Sequence, residues 1–197
     1  MKLSPRSIIL LTISAFGGTI IGRTLLQKRL YFLEQLLRAA CDENINLQYD
    51  SHFYGPYSPL VGNETAVLDA SGFLRCYTEP FGYSDSGFEA KRYSYELTDA
   101  GRRAVERMQK EHPEDCQKVI QILNKIKNLG DVNYVDLSIA AKTFFMLKQS
   151  DGPLTTRAAV EQAKRFSWQI SERDVQRCFP ILERLGLATT VEVSEQG

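Results

Sequence analysis

The sequence has few of the side chains that metal sites and covalent catalysis require. It contains two histidines and four cysteines among 197 residues. The cysteines are dispersed and form no CxxC pair: Cys41, Cys76, Cys116 and Cys178. Such spacing indicates buried thiols in a reducing cytosol, and it disfavours a disulfide framework. Neither His52 nor His112 lies at ligand spacing from a cysteine, so no metal and no cofactor are expected.

An excess of charge of one sign is also missing. The chain carries 24 basic and 24 acidic residues, and its formal net charge is +0. No global field therefore draws it to nucleic acid or to a membrane, and any nucleic-acid site must be a local patch. The apolar start, MKLSPRSIILLTISAFGG, is interrupted by polar residues and is too short to cross a bilayer. We expect a cytoplasmic protein that does not contact membranes.

Signatures of enzymes are equally scarce. The sequence has no GxSxG and no P-loop, and no GxGxxG occurs between a strand and a helix. A nucleophilic cysteine would have to use His52 or His112 as its base. We expect His112 to be exposed and His52 to be a hydrogen-bonding residue in a partly buried segment. The sequence therefore predicts a protein that is not an enzyme.

Residues that favour helix starts stand before several segments with helical periodicity. Each is a serine or a threonine, which are preferred N-cap types: Ser4, Thr24, Ser58, Thr98, Thr155 and Ser171. The stretch FYGPYSP (53–59) shows the pattern most fully, because a Gly-Pro turn precedes Ser58 and because Pro59 suits the first helical position. We expect Tyr54 and Tyr57 to pack beside this helix start.

Two alternating segments rich in β-formers follow the third helix. They are FLRCYTE (73–79) and KRYSYEL (91–97), and the loop between them is rich in glycine and serine. This pattern predicts a hairpin. The order helix, helix, turn, helix, hairpin predicts a mainly helical α+β fold of the winged helix-turn-helix type, with the hairpin as the wing.

Two motifs carry a resemblance to known families. KRYSYELTDAG (91–101) resembles the end of the wing in PadR-like winged-helix regulators. IGRTLLQKRLYFLEQLL (21–37), followed by YGPYSP, resembles the YwgA-like winged-helix family and, more distantly, the Panacea antitoxin domain. The resemblance covers about residues 8–110 and implies a winged-helix fold. The YwgA-like group implies no particular activity, whereas the antitoxin likeness implies a protein that covers a partner protein.

The last third of the chain resembles the first in its pattern. LLQKRLYFLEQ (25–35) aligns with IAAKTFFMLKQ (139–149), so that Lys28 meets Lys142, and Gly72 meets Gly186 in the same register. This match favours an internal repeat or a repeated topology. We predict a winged-helix domain over 1–112, a linking or dimerisation helix over 113–130, and a second helix-turn-helix unit with one trailing strand over 131–197. Pro180 is expected to kink or split the last helix of that unit.

Candidate DNA-binding residues fall into two groups. On the last helix, Arg173 and Arg177 lie four residues apart with Gln176 beside them, and such side chains read base edges and phosphates. Lys164 and Arg165 precede this helix. In the wing, the basic residues are Arg75, Lys91 and Arg92. The third helix has no lysine or arginine, and acidic residues interleaved on the last helix leave open that its basic face is only solvated.

Two functions are open at this level. A winged-helix protein of this kind is expected to bind double-stranded DNA as a transcriptional regulator, and the long helix after Pro113 could build a homodimer. The alternative is a non-catalytic protein-interaction module, antitoxin-like or defence-associated, whose partner is a protein. The neutral charge and the acidic third helix favour this alternative.

Overall fold

A computed structural model describes residues 2–43, 45–83, 89–150 and 155–188 of the chain. These ranges are mainly helical and contain one small antiparallel sheet. The elements are α1 (Pro5–Ala15), β1 (Thr19–Ile21), α2 (Arg23–Cys41), α3 (Pro59–Ala70), β2 (Leu74–Tyr83), β3 (Glu89–Leu97), α4 (Asp99–Glu111), α5 (Pro113–Lys127), α6 (Tyr134–Leu147), α7 (Thr156–Arg165) and α8 (Glu172–Leu185). The predicted α+β class is confirmed. Each described helix is too short or too polar to traverse a bilayer.

Helix starts follow the local sequence signals closely. Most of the predicted caps accept a hydrogen bond from a backbone N–H three residues further on: Ser4, Ser58, Thr98, Thr155 and Ser171. Ser171 and Asp174 also form a reciprocal capping box. The prediction for Thr24 is wrong, because α2 already begins at Arg23. Its N-cap is Gly22, whose φ of 107° is one that glycine adopts without a steric penalty.

The sheet combines the predicted hairpin with a short strand that the sequence did not predict. Its strand order is β1-β3-β2, and both pairings are antiparallel. The central strand pairs Tyr95 with Ile20 on one side and with Cys76 on the other. The hairpin strands extend beyond 73–79 and 91–97. Its tip (84–88), the Gly152-Pro153 turn and most of the predicted trailing strand lie outside the described residues.

One apolar core extends from α1 to α8, and α2 contacts both α5 and α6 within it. The buried side chains of α5 form a stripe: Cys116, Val119, Ile122, Leu123 and Ile126. This helix packs on α1 and α2 of the same chain, so its stripe is not available for the expected homodimer. The core also crosses the predicted boundaries at 112 and 130. The three-part division of the chain therefore stays a prediction about folding units.

The last described helix does not split at its proline. The α8 helix continues through Pro180 to Leu185, and its C-cap is Gly186, whose φ is 73°. Pro180 lacks an N–H and thus removes one intrahelical hydrogen bond. Pro180 is exposed, so the carbonyl oxygen that would have accepted this hydrogen bond can bind water instead.

Ser58 connects the start of α3 to the segment that precedes it. Its side chain is buried, accepts a hydrogen bond from the Val61 N–H at 3.1 Å, and donates one to the Leu47 carbonyl. Ser58→Ala would leave both backbone groups without this partner. We expect the free energy of unfolding to fall by about 2 kcal/mol, measured by urea denaturation.

Ser4→Ala is the matched control for this substitution. Ser4 caps α1 from an exposed position, where its hydroxyl accepts a hydrogen bond from the Ser7 N–H at 3.2 Å. Water can replace that partner, so the expected loss is about 0.5 kcal/mol. Equal losses in the two variants would show that the bond to Leu47 contributes nothing.

Candidate functional site

The predicted residues of α8 share one exposed face. Arg173, Gln176 and Arg177 are all exposed, and their spacing of three and four residues places them on one side of the helix. The opposite side is buried against α6 and α7: Val175, Cys178, Phe179, Ile181, Leu182 and Leu185. The structure therefore brings these three candidates together on the surface.

Ion pairs limit the freedom of one of these arginines. The Nη2 atom of Arg177 lies 3.1 Å from Oδ1 of Asp136 and 3.2 Å from Oδ1 of Asp174. Hydrogen bonds from Ser171 lower the pKa of the Asp174 carboxyl, and Arg177 contributes to the same shift. The Arg177 side chain is 53% exposed, so these two ion pairs are weak. A competing anion can therefore replace the carboxylates of Asp136 and Asp174 at this guanidinium.

The two basic residues at the end of α7 lie on the surface. Both Lys164 and Arg165 are exposed, and Nζ of Lys164 pairs with Oε1 of Glu161 at 2.6 Å. The spacing of four residues favours an ion pair between Glu161 and Arg165. In the structure Glu161 pairs with Lys164 instead. Trp168 follows in the turn before α8. It is buried, and its Nε1 donates to the His52 carbonyl at 2.6 Å.

The three basic residues of the hairpin do not form a single patch. In the register of the sheet, Glu96 lies opposite Arg75, Glu79 opposite Arg92, and Pro80 opposite Lys91. Because side chains alternate between the faces of a strand, Arg75 and Arg92 share one face and Lys91 lies on the other. Nη1 of Arg75 also donates to the Tyr77 hydroxyl at 3.2 Å. The shared face thus carries two arginines interleaved with two glutamates.

The turn before α3 exposes two aromatic rings, one of which was expected to be packed. Phe53 and Tyr54 are 63% and 64% exposed, so the expectation for Tyr54 is wrong. Their rings contact each other edge to face, with centroids 5.1 Å apart. Tyr57 is only partly exposed and its ring lies against that of His52, as a packing role requires. An aromatic pair therefore faces solvent beside a helix that carries no basic residue.

The burial of several polar side chains was not predicted from the sequence. Four residues of α2 are buried although periodicity marks only its leucine stripe as internal: Gln27, Lys28, Glu34 and Gln35. Nζ of Lys28 donates to the Pro56 carbonyl at 2.6 Å. Lys142 of α6 approaches the same turn, because a Cβ on Gly55 would meet Cγ of Lys142 at 2.9 Å and Nζ of Lys28 at 3.5 Å. In the sequence, only the internal alignment that pairs Lys28 with Lys142 linked these two lysines.

A cavity of about 250 Å³ lies where α2 and α6 meet. Its lining combines aromatic rings, amides and charged groups: Tyr31, Glu34, Gln35, Arg38, Asn46, Gln48, Tyr49, Phe145, Lys148 and Gln149. Burial raises the pKa of the Glu34 carboxyl, while the nearby cations Arg38 and Lys148 oppose that shift. Nζ of Lys148 donates to Oε1 of Gln35 at 2.8 Å.

The cysteines have the environment of structural thiols. Burial is the main cause that raises the pKa of both Cys76 and Cys178 to about 11. Such thiols are protonated at neutral pH and are weak nucleophiles. Within the described ranges, no group of three or more His, Cys, Asp or Glu side chains is arranged to hold a metal ion.

Comparison with known proteins gives one informative match. Over 92 residues the chain is 35% identical to "Uncharacterized protein YwgA" of Bacillus subtilis strain 168. Over this segment the chain is similar to YwgA. The match covers 47% of the chain and 49% of YwgA, so the chain spans about half the length of the curated relative it matches. No family model matches the chain.

Proposed function

We propose that the protein is a DNA-binding regulator of the winged-helix class that contacts duplex DNA with the exposed face of α8. The observation that carries the proposal is the joint exposure of Arg173, Gln176 and Arg177 on a capped helix. This helix comes last in the compact unit α6, α7, α8, which is the position of the reading helix in a helix-turn-helix. Arginine suits guanine edges and phosphates, and glutamine suits adenine edges.

The proposal of a winged helix for the first unit rests on the order and pairing of its elements. Three helices precede the hairpin, and β1, which lies between α1 and α2, closes the sheet beside β3. In this proposal the hairpin meets the DNA backbone through Arg75 and Arg92, which share a face. In this proposal the α3 helix neutralises no phosphate charge, because it has neither lysine nor arginine.

The test is fluorescence anisotropy with mixed-sequence duplex DNA at two salt concentrations. We expect wild type to bind more weakly at the higher salt, because phosphate contacts release counterions. The double variant Arg173→Ala/Arg177→Ala should lose about 1–3 kcal/mol of binding free energy for each base contact removed. If the arginines contact phosphates instead, affinity should fall equally for all sequences and the salt dependence should become shallower.

Arg103→Ala/Arg107→Ala is the matched control for charge. These two arginines are exposed on α4, so the variant loses the same charge far from α8 in the sequence. Its affinity should stay close to that of wild type, and both double variants should keep the wild-type melting temperature. Equal binding by wild type and the Arg173/Arg177 variant would rule out α8 as the reading helix.

A non-catalytic protein-interaction module is the second candidate function. The observation that favours it is the exposed pair Phe53 and Tyr54 beside the α3 face, where Val67 is 38% exposed. Exposed aromatic residues such as these are typical anchors of protein interfaces. If wild type shows no DNA binding even at low salt, this function replaces the first.

A further inference from the structure

The cavity between α2 and α6 has fixed aromatic walls. The Tyr31 ring makes edge contacts with Phe32, Tyr49 and Phe144, at centroid distances of 5.5, 5.2 and 6.5 Å. Phe145 lines the cavity from the α6 side. The volume of about 250 Å³ lies just below the range of roughly 300–1,000 Å³ that is usual for drug-sized ligands. The space therefore suits a small metabolite.

One residue of the cavity lining, Tyr31, carries a buried hydroxyl without a partner. Tyr31 is 1% exposed, and its hydroxyl has no hydrogen-bond partner among the described residues. Tyr49, the neighbouring phenol, donates to the Gln27 carbonyl at 2.6 Å. Buried polar groups in folded proteins nearly always have partners, so the Tyr31 hydroxyl retains capacity for a hydrogen bond with a small molecule or a water.

A buried carboxylate stands close to that hydroxyl along α2. Glu34 is 3% exposed, and its Oε1 accepts a hydrogen bond from the Leu47 N–H at 2.5 Å. Its Oε2 has a long contact of 3.4 Å with Nε2 of Gln35. This second oxygen therefore retains capacity to accept a hydrogen bond from an N–H group of a ligand.

The rim of the cavity is positively charged. Lys148 is exposed at the end of α6, and its ammonium lies on the Gln35 amide oxygen rather than on a carboxylate. Arg38 also lines the cavity, and the amides of Gln48 and Gln149 lie beside these cations. An ammonium bound to an amide oxygen keeps two further donors that can bind an anion.

We propose that this cavity binds a small metabolite that presents an N–H donor to Glu34 and Tyr31 and an anionic group to Lys148. A free α-amino acid supplies this chemistry with its ammonium and carboxylate. A mononucleotide supplies the same chemistry with its base and phosphate. The proposal does not depend on DNA binding, since none of the cavity residues belongs to α8 or to the hairpin.

Two ligand panels distinguish the sources. The full-length protein is titrated by calorimetry with each of the common L-amino acids, and in a second series with each 5′-mononucleotide. We expect saturable binding in one series only. The ligand should raise the melting temperature by about 5 °C when present at a hundredfold excess over its Kd. No saturable binding in either series at millimolar concentration would overturn the proposal.

Substitutions then test the binding mode with the ligand identified in the panels. Tyr31→Phe should weaken binding about tenfold, yet the melting temperature of the free protein should stay the same or rise, because the lost hydroxyl has no partner in the protein. Lys148→Met should also weaken binding about tenfold. Because Lys148 is exposed, this substitution should leave the fold intact. Lys110→Met on α4 is the control and should bind like wild type. Unchanged affinity in both Tyr31→Phe and Lys148→Met would overturn the proposed mode.

Discussion

Gly101→Ala is expected to lower the free energy of unfolding by about 3 kcal/mol. Gly101 is buried in the first turn of α4, where a Cβ would lie 2.2 Å from the Phe73 carbonyl oxygen and 3.0 Å from Cδ2 of Leu97. The carbonyl belongs to backbone at the start of the hairpin, so it cannot move away without displacing β2. Alanine favours a helix by about 1 kcal/mol over glycine, and the steric cost must exceed that gain.

Gly62→Ala is the matched control, since it also places a methyl group on a helical glycine. A Cβ on Gly62 would meet only the Tyr57 hydroxyl oxygen, at 3.1 Å. That atom ends a side chain and can move by a small rotation, so we expect a change of less than about 1 kcal/mol in either direction. Urea denaturation monitored by circular dichroism measures both variants. A Gly101→Ala protein as stable as Gly62→Ala would contradict the close approach of α4 to β2.

The features that the sequence predicted well depend on short segments. A helix cap involves residues three positions apart, and the caps Ser58 and Ser171 were therefore visible in the sequence. The hairpin was visible because both of its strands alternate over several residues. The strand β1 was missed because Thr19–Ile21 is too short to show alternation, and it pairs with a strand far along the chain. Its existence depends on tertiary pairing rather than on local preference.

The polar interior could not be predicted for a different physical reason. Periodicity identifies the apolar stripe of α2. It does not show that the turn at 55–58 and the α6 helix will cover other faces of the same helix. Gln27 and Lys28 are buried by these later segments. The ion pair between Arg177 and Asp136 joins two helices in the same way. Residues that look solvated on an isolated helix thus acquire partners only when the helices pack.

This packing also buries the ammonium of Lys28, which is unfavourable for a charged group. Lys28 is 1% exposed and has one hydrogen bond, to the Pro56 carbonyl at 2.6 Å. Burial is the main cause that lowers its pKa from 10.5 to about 7, and the like charge of Lys142 adds to the shift. Gly55 and Pro56 of the turn FYGPYSP lie against this lysine, so the Gly-Pro part of that turn helps to exclude water from a titratable group.

The lowered pKa predicts that stability increases with pH. Below about pH 7 both the folded and the unfolded chain hold the Lys28 proton, and the cost of burying the charge is fully present. Between about pH 7 and 10.5 only the unfolded chain still holds this proton, so the free energy of unfolding rises with pH. From pH 7 to pH 9.5 we expect Lys28 to contribute an increase of roughly 2–3 kcal/mol.

Lys28→Met should make the protein about 2 kcal/mol more stable at pH 7, because a side chain of similar length replaces a buried charge and only the bond to Pro56 is lost. The variant should also lose the part of the increase in stability between pH 7 and 9.5 that Lys28 contributes. Lys142→Met is the companion variant: it removes the like charge and should move the onset of that increase to higher pH. Urea denaturation across this pH range measures all three proteins. Parallel curves for wild type and Lys28→Met would show that Lys28 keeps an ordinary pKa in the folded protein.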